Sequence, residues 1–177
     1  MLKQLHLTRR QWLGILKWTL YALFFLFVMI VQTVILARLP IFGIKLTLVP
    51  LVLVCVCIRE GPERGGVFAL LASTVWCLSG ADYGNLSIVL LTFCAVLSSV
   101  LCIAVLLRSF WTGAVCCLLT MVIHEGGILL FKVLLGRIAP SNLWRVVLPG
   151  VALSMLAYPL IYLIVKLIGK TGGDHGV

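Results

Sequence analysis

The sequence predicts an all-α, polytopic membrane protein with six transmembrane helices, and three observations carry that expectation. Hydrophobic residues make up 63% of the 177 and charged residues only 11%. The apolar residues gather into long runs near 18–36, 44–58, 66–80, 86–107, 113–135 and 146–168, and a span takes roughly twenty such residues. Within a run the apolar side chains follow one another without alternation, as from Leu23 to Val28. Hydrocarbon gives the backbone no hydrogen-bond partner, so spans are helices or closed barrels. Barrel strands alternate polar and apolar faces, which leaves helices. The six runs fill most of the chain and leave no room for a separate soluble domain.

Residues 1–17 form a basic, amphipathic segment at the cytoplasmic interface. Trp12 and Trp18 suit the headgroup region, Arg9 and Arg10 suit anionic lipid, and Thr8 with Gln11 has the spacing of a capping box that starts a helix near Arg9. The transmembrane domain follows over 18–170, and 171–177 is a Gly-rich, disordered polar tail. The first span is too long for a secretory signal and no small-residue cleavage site precedes Arg38, so it is retained. After a tight turn at 37–43, Pro50 falls inside the second span, where loss of its backbone donor is expected to bend the helix. The charged 59–64 stretch reads as a solvated turn, with Gly61 and Pro62 ending one helix before the next.

In the third span Gly65, Ala69, Ser73 and Cys77 recur every fourth residue. A stripe of small residues lets another helix approach closely, either within the protein or from a partner. Cys94, Ser98 and Cys102 form a similar stripe in the fourth span, and Asn85 is placed to cap it after the 80–85 turn. His124 and Glu125 lie near the middle of the fifth span, where ionisable groups mark a pathway, a site or an internal pairing. A neutral Glu125 bonded to a neighbouring helix is the structural reading. In the sixth span, Pro149 opens the helix and Pro159 interrupts it, with Tyr162 one turn further on.

The net charge of +9 follows from topology and does not call for nucleic acid. Lys3, Arg9, Arg10, Lys17, Arg59, Arg64, Arg108, Lys166 and Lys170 fall on one side of the six-span arrangement, against Arg38, Lys45, Lys132, Arg137 and Arg145 on the other. The positive-inside rule puts both termini in the cytoplasm. All seven cysteines lie in predicted spans, as packing residues without the loop clustering of a disulfide framework or zinc ribbon. His124 and Glu125 begin a zinc-protease pattern, but Ile128 stands where the second histidine belongs, and His6 and His175 are in the tails. No catalytic set, metal site or cofactor is expected. Five scattered acids also fail to supply the metal cluster that phosphate-transfer chemistry uses.

The order of these features resembles the MreD family of bacterial rod-shape-determining membrane proteins. The likeness covers the length and six-span plan. Its more specific parts are the Arg59-to-Gly66 loop running into the small-residue stripe, and the closing Tyr158, Pro159 and Tyr162 with basic Lys166. Cys77 stands where that family often carries an aspartate. The resemblance implies a non-enzymatic scaffold of the cell-elongation complex in the bacterial inner (cytoplasmic) membrane. Its partner would be a bitopic MreC-like protein, linking MreB filaments to RodA and a class B penicillin-binding protein. It also implies a fold similar to the substrate-binding subunits of energy-coupling-factor vitamin transporters, so a small-molecule-binding transporter subunit is the alternative. Candidate partner-contact residues are Gly65, Ala69, Ser73, Pro159 and Tyr162; His124 and Glu125 are the intramembrane polar candidates.

Overall fold

The computed structural model describes residues 9–36, 46–80, 84–104, 109–136 and 143–171, and every regular element among them is helical. The predicted turns at 37–43 and around Asp82, residues 1–8 and the 172–177 tail lie outside the described residues. Helix α1 (Arg9–Ile30) runs without a break across the expected boundary at residue 17 and continues into a π-helical stretch, Val31–Leu36. Then come α2 (Val49–Glu60), α3 (Pro62–Leu78), α4 (Gly84–Ala104), α5 (Phe110–Leu134), α6 (Leu143–Leu156) and α7 (Tyr158–Thr171). Asn85 lies inside α4 and is not its cap.

The centre of the molecule is α2. Every residue from Val49 to Cys57 is buried, whichever way it points. A helix that is hydrophobic all round has to be enclosed, and here α3, α4, α5 and α7 pack against it with α1 along one edge. Aromatic side chains help to close the ring. Phe68 on α3 meets Trp18, Tyr21 and Phe25 on α1, and Phe110 on α5 meets Tyr158 and Tyr162 on α7. Helix α6 leans on α5. Outside the ring, large apolar residues such as Phe27, Leu71, Val89, Phe93, Val115 and Leu160 are exposed, as a lipid-facing surface requires.

Among the described residues, three helices are long and apolar enough to cross a membrane: Gln11–Val34, Asn85–Ala104 and Phe110–Leu134. Helices α6 and α7 make a fourth when the pair, bent by 45°, is taken as one span. The predicted second and third spans correspond to α2, of 12 residues, and α3, of 17. At a rise of about 1.5 Å per residue, α2 covers about 18 Å of a hydrocarbon layer roughly 30 Å thick. Because protein sheathes it on all sides, it has no need to match the bilayer. Pro50 does not bend it: the proline occupies the first turn, where no intrahelical donor is required. Pro159, by contrast, does sit at the break, two residues into α7 and just after the Ala157 junction.

The small-residue stripe of α3 is consumed by this packing. Gly65 and Ala69 are buried and Ser73 is 1% exposed. A Cβ at Gly65 would sit 2.5 Å from the Cys57 Cα on α2, and one at Gly66 would sit 2.9 Å from a Val96 methyl on α4. Ser73 shares a 3.1 Å hydrogen bond with Thr92 on α4. The partner-contact candidates Gly65, Ala69 and Ser73 thus lie on a face that α2 and α4 occupy within the chain. The fourth-span stripe is used in the same way. Ser98 bonds Thr120 on α5 at 2.9 Å, and Ser99 donates to the Cys57 carbonyl at 2.8 Å.

Alanine at Gly65 has backbone against it, so strain on the order of 1–3 kcal/mol is expected. Thermal unfolding in detergent should show a lowered midpoint for Gly65→Ala. Gly14→Ala, where a Cβ meets nothing within 4 Å, should unfold like the parent chain; equal midpoints for the two would refute the close α2–α3 contact.

Candidate functional site

A short helix enclosed by other helices has the problem of its ends. Its first N–H groups and last C=O groups have no intrahelical partners, and there is little water to serve them. In this chain two clusters of interior polar side chains lie at those ends, and they form the candidate functional region.

At the amino end, residues 46–48 approach α2 in irregular conformation. The Gln32 side chain, carried by the π-helical stretch, accepts hydrogen bonds from the Leu48 N–H at 2.8 Å and the Val49 N–H at 3.1 Å. The Thr47 N–H donates to Ser154 Oγ on α6 at 3.2 Å, and the Thr47 hydroxyl donates to Glu125 Oε1 on α5 at 3.0 Å. His124 Nδ1 lies 3.6 Å from the same carboxyl oxygen. The other ring nitrogen, Nε2, is 2.9 Å from Ser87 Oγ on α4, and the Trp76 ring of α3 lies 5.9 Å from the imidazole, centre to centre. His124 is wholly buried and the Glu125 side chain is 17% exposed. One polar knot thus joins the π-helical stretch, α2, α4, α5 and α6. A π-helical turn widens the backbone spiral and redirects side chains; here it coincides with the residue that serves two backbone donors.

At the carboxyl end, Lys17 of α1 and Glu60 of α2 form an ion pair at 2.7 Å with side chains 7% and 4% exposed. The Tyr21 hydroxyl donates to the second Glu60 oxygen at 2.9 Å, so both carboxyl oxygens are engaged. Glu60 is accordingly a buried anchor, which corrects the expectation of a solvated turn at that residue, while Glu63 and Arg64 are exposed. Gly61 and Pro62 do break the chain there as expected. Gly61 has φ 92°, a conformation that disfavours any residue with a Cβ, and Pro62 starts α3 directly.

The intramembrane candidates His124 and Glu125 are brought together, and Glu125 accepts its bond from Thr47 in the irregular 46–48 stretch, not from a neighbouring helix as expected. Gly127, two residues on, leaves room for Leu90 of α4. Of the partner-contact candidates only Pro159 is exposed. Tyr162 is half-buried against Phe110, while the Tyr158 hydroxyl donates to the Phe110 carbonyl at 2.8 Å over Gly113. Sequence reasoning missed Gln32, Thr47, Ser87 and Ser154. An amide within an apolar run was a usable signal for Gln32; the hydroxyls are too common in membrane helices to stand out. The Cys55 and Cys117 sulfurs are 3.9 Å apart as free thiols in the core. Among the described residues no group of three or more His, Cys, Asp or Glu side chains is placed to hold a metal. No protein-family model, curated protein or solved structure matches this chain.

Two substitutions report on the two ends of α2. Lys17→Met strands a buried carboxylate and is expected to lower stability by about 3–5 kcal/mol, whereas Lys17→Met with Glu60→Gln should regain most of the loss. A double-mutant cycle read by thermal unfolding decides it, and zero coupling would count against the ion pair. Gln32→Leu leaves two N–H groups without their acceptor and is expected to be destabilising by about 1–3 kcal/mol per group. Glu125→Gln keeps an oxygen facing Thr47 and should leave the midpoint nearly unchanged.

Proposed function

We propose that this chain is a non-enzymatic membrane scaffold of the bacterial cell-elongation complex, with six passes and both termini in the cytoplasm. The observation that carries this reading is how the interior is used. The central helix is fully packed, and the buried polar groups are bound to one another: Lys17 to Glu60, Thr47 to Glu125, Ser87 to His124. Such a body offers other molecules its outer helix faces. The exposed kink at Pro159, beside half-buried Tyr162, is the part of the predicted contact surface still available to a partner's span. The shared end of Lys17, Arg59, Ser109 and Lys166 supports placing the basic side together, as the positive-inside rule requires. The resemblance to MreD carries the rest: an MreC-like bitopic partner, and through it MreB, RodA and a class B penicillin-binding protein.

A second reading is a small-molecule-binding subunit of an energy-coupling-factor transporter. It is favoured by an ionisable pair deep in α5 next to a broken α6–α7 span. Depletion of the protein in a rod-shaped host separates the two: the scaffold is expected to give swelling to spheres. Rods of normal shape, together with a co-purifying small ligand that raises the unfolding midpoint, would replace it with transport. For the contact surface, Pro159→Ala is expected to reduce co-purification of the MreC-like partner several-fold at equal membrane levels. Undiminished capture would remove the kink from the interface.

A further inference from the structure

Independently of the scaffold role, we propose that the cavity between α2, α5 and α7 is a binding site for a phosphate oxyanion, of the kind carried by the headgroup of an anionic phospholipid. The cavity has a volume of about 60 Å³, and Arg59 from α2, Lys166 from α7 and Ser109 at the head of α5 contribute its polar lining. A single water needs roughly 10–15 Å³ on this measure, so a group of several atoms fits. Ile58, Tyr162 and Val165 complete much of the wall.

The charges are gathered without a counter-ion from the described residues. Glu60 is held by Lys17 and Tyr21. Glu125 faces Thr47 at the other end of α2, and Glu63 borders a separate groove with Arg64 between α1 and α3. Two cations from different helices on one small cavity repel each other, and an anion between them reverses the sign of that interaction. Arg59 is half-buried and its guanidinium lies across Gly169, at the place a Cβ would fill. Gly169 therefore gives the Arg59 fork its seat. A guanidinium presents paired donors to phosphate oxygens, and a lysine adds a mobile point charge. Ser109 makes no capping hydrogen bond to α5, which leaves its hydroxyl able to donate to the same anion. Basic pockets between helices at the cytoplasmic end of a membrane protein are the places where acidic headgroups are recognised.

The test uses the full chain in neutral maltoside micelles, doped in one arm with phosphatidylglycerol and supplied in the other with inorganic phosphate. Unfolding midpoints are recorded for the parent, Arg59→Gln, Lys166→Gln and, as a charge-matched control on the other groove, Arg64→Gln. Phosphatidylglycerol should raise the midpoint of the parent and of Arg64→Gln alike. The lipid fraction for half-effect should rise about five-fold for each of Arg59→Gln and Lys166→Gln, the equivalent of one cationic contact. Stabilisation by inorganic phosphate, lost in those same two variants, would support the site with a soluble phosphate as its source. An identical lipid response in all four chains would overturn the proposal in favour of diffuse surface charge, and so would no response in the parent. Lys166 is exposed, so its variant decides the matter even where Arg59→Gln does not fold.

Discussion

The constraint on which this structure depends is the unpaired backbone at the ends of a helix that water scarcely reaches. Helix α2 is enclosed by its neighbours and has only 12 residues. Its leading N–H groups open inside the protein, where an unsatisfied donor costs about as much as several apolar contacts return. Gln32 takes those of Leu48 and Val49, and Ser154 takes the N–H of Thr47 just before the helix. Their positions on the π-helical stretch and on α6 oblige both elements to converge on the same point. The remaining polar residues then find partners locally, Thr47 on Glu125 and Ser87 on His124.

The opposite end of α2 meets the same requirement with charge. Lys17, Tyr21 and Glu60 form a set in which each carboxyl oxygen has a donor. Such a pair contributes little net stability against an apolar replacement, but losing one partner is severe. Its effect is positional: it pins the middle of α1 to the end of α2, beside the Gly61 break from which α3 departs. Polar groups thus determine where the helices meet, and small residues determine how closely. Gly65 admits Cys57, Gly113 admits the Tyr158 hydroxyl, and Gly169 admits Arg59. With lipid outside, apolar burial between helices supplies little drive, so close contact and hydrogen bonding have to perform that task.

This organisation bears on function through what it leaves outside. The polar interior serves the protein itself at both ends of α2, and the perimeter is apolar. A body of this kind is suited to lateral contact with other helices and with lipid. The basic cavity of Arg59 and Lys166 lies at the end where α2 stops and α7 closes. A headgroup held there would touch the same elements that the Lys17–Glu60 pair fixes in place.

The amino-acid sequence by itself determined that the chain is helical and apolar, that Gly61 and Pro62 divide two helices, and that Pro159 marks a break. Each of these rests on local chemistry: continuous hydrophobicity, a missing donor, a positive φ. It also singled out His124 and Glu125, since ionisable residues within an apolar run are conspicuous wherever they fold. Only the tertiary structure decided that α2 is a core helix instead of a lipid-facing span, because twelve apolar residues look the same in either surrounding. The same holds for the stripe of Gly65, Ala69 and Ser73, whose spacing announces close packing but not the identity of the neighbour. Glu60 read as solvated for a related reason: a carboxylate beside a turn is buried only when a cation such as Lys17, forty-three positions away, is brought to meet it, and that meeting is a property of the assembled helices.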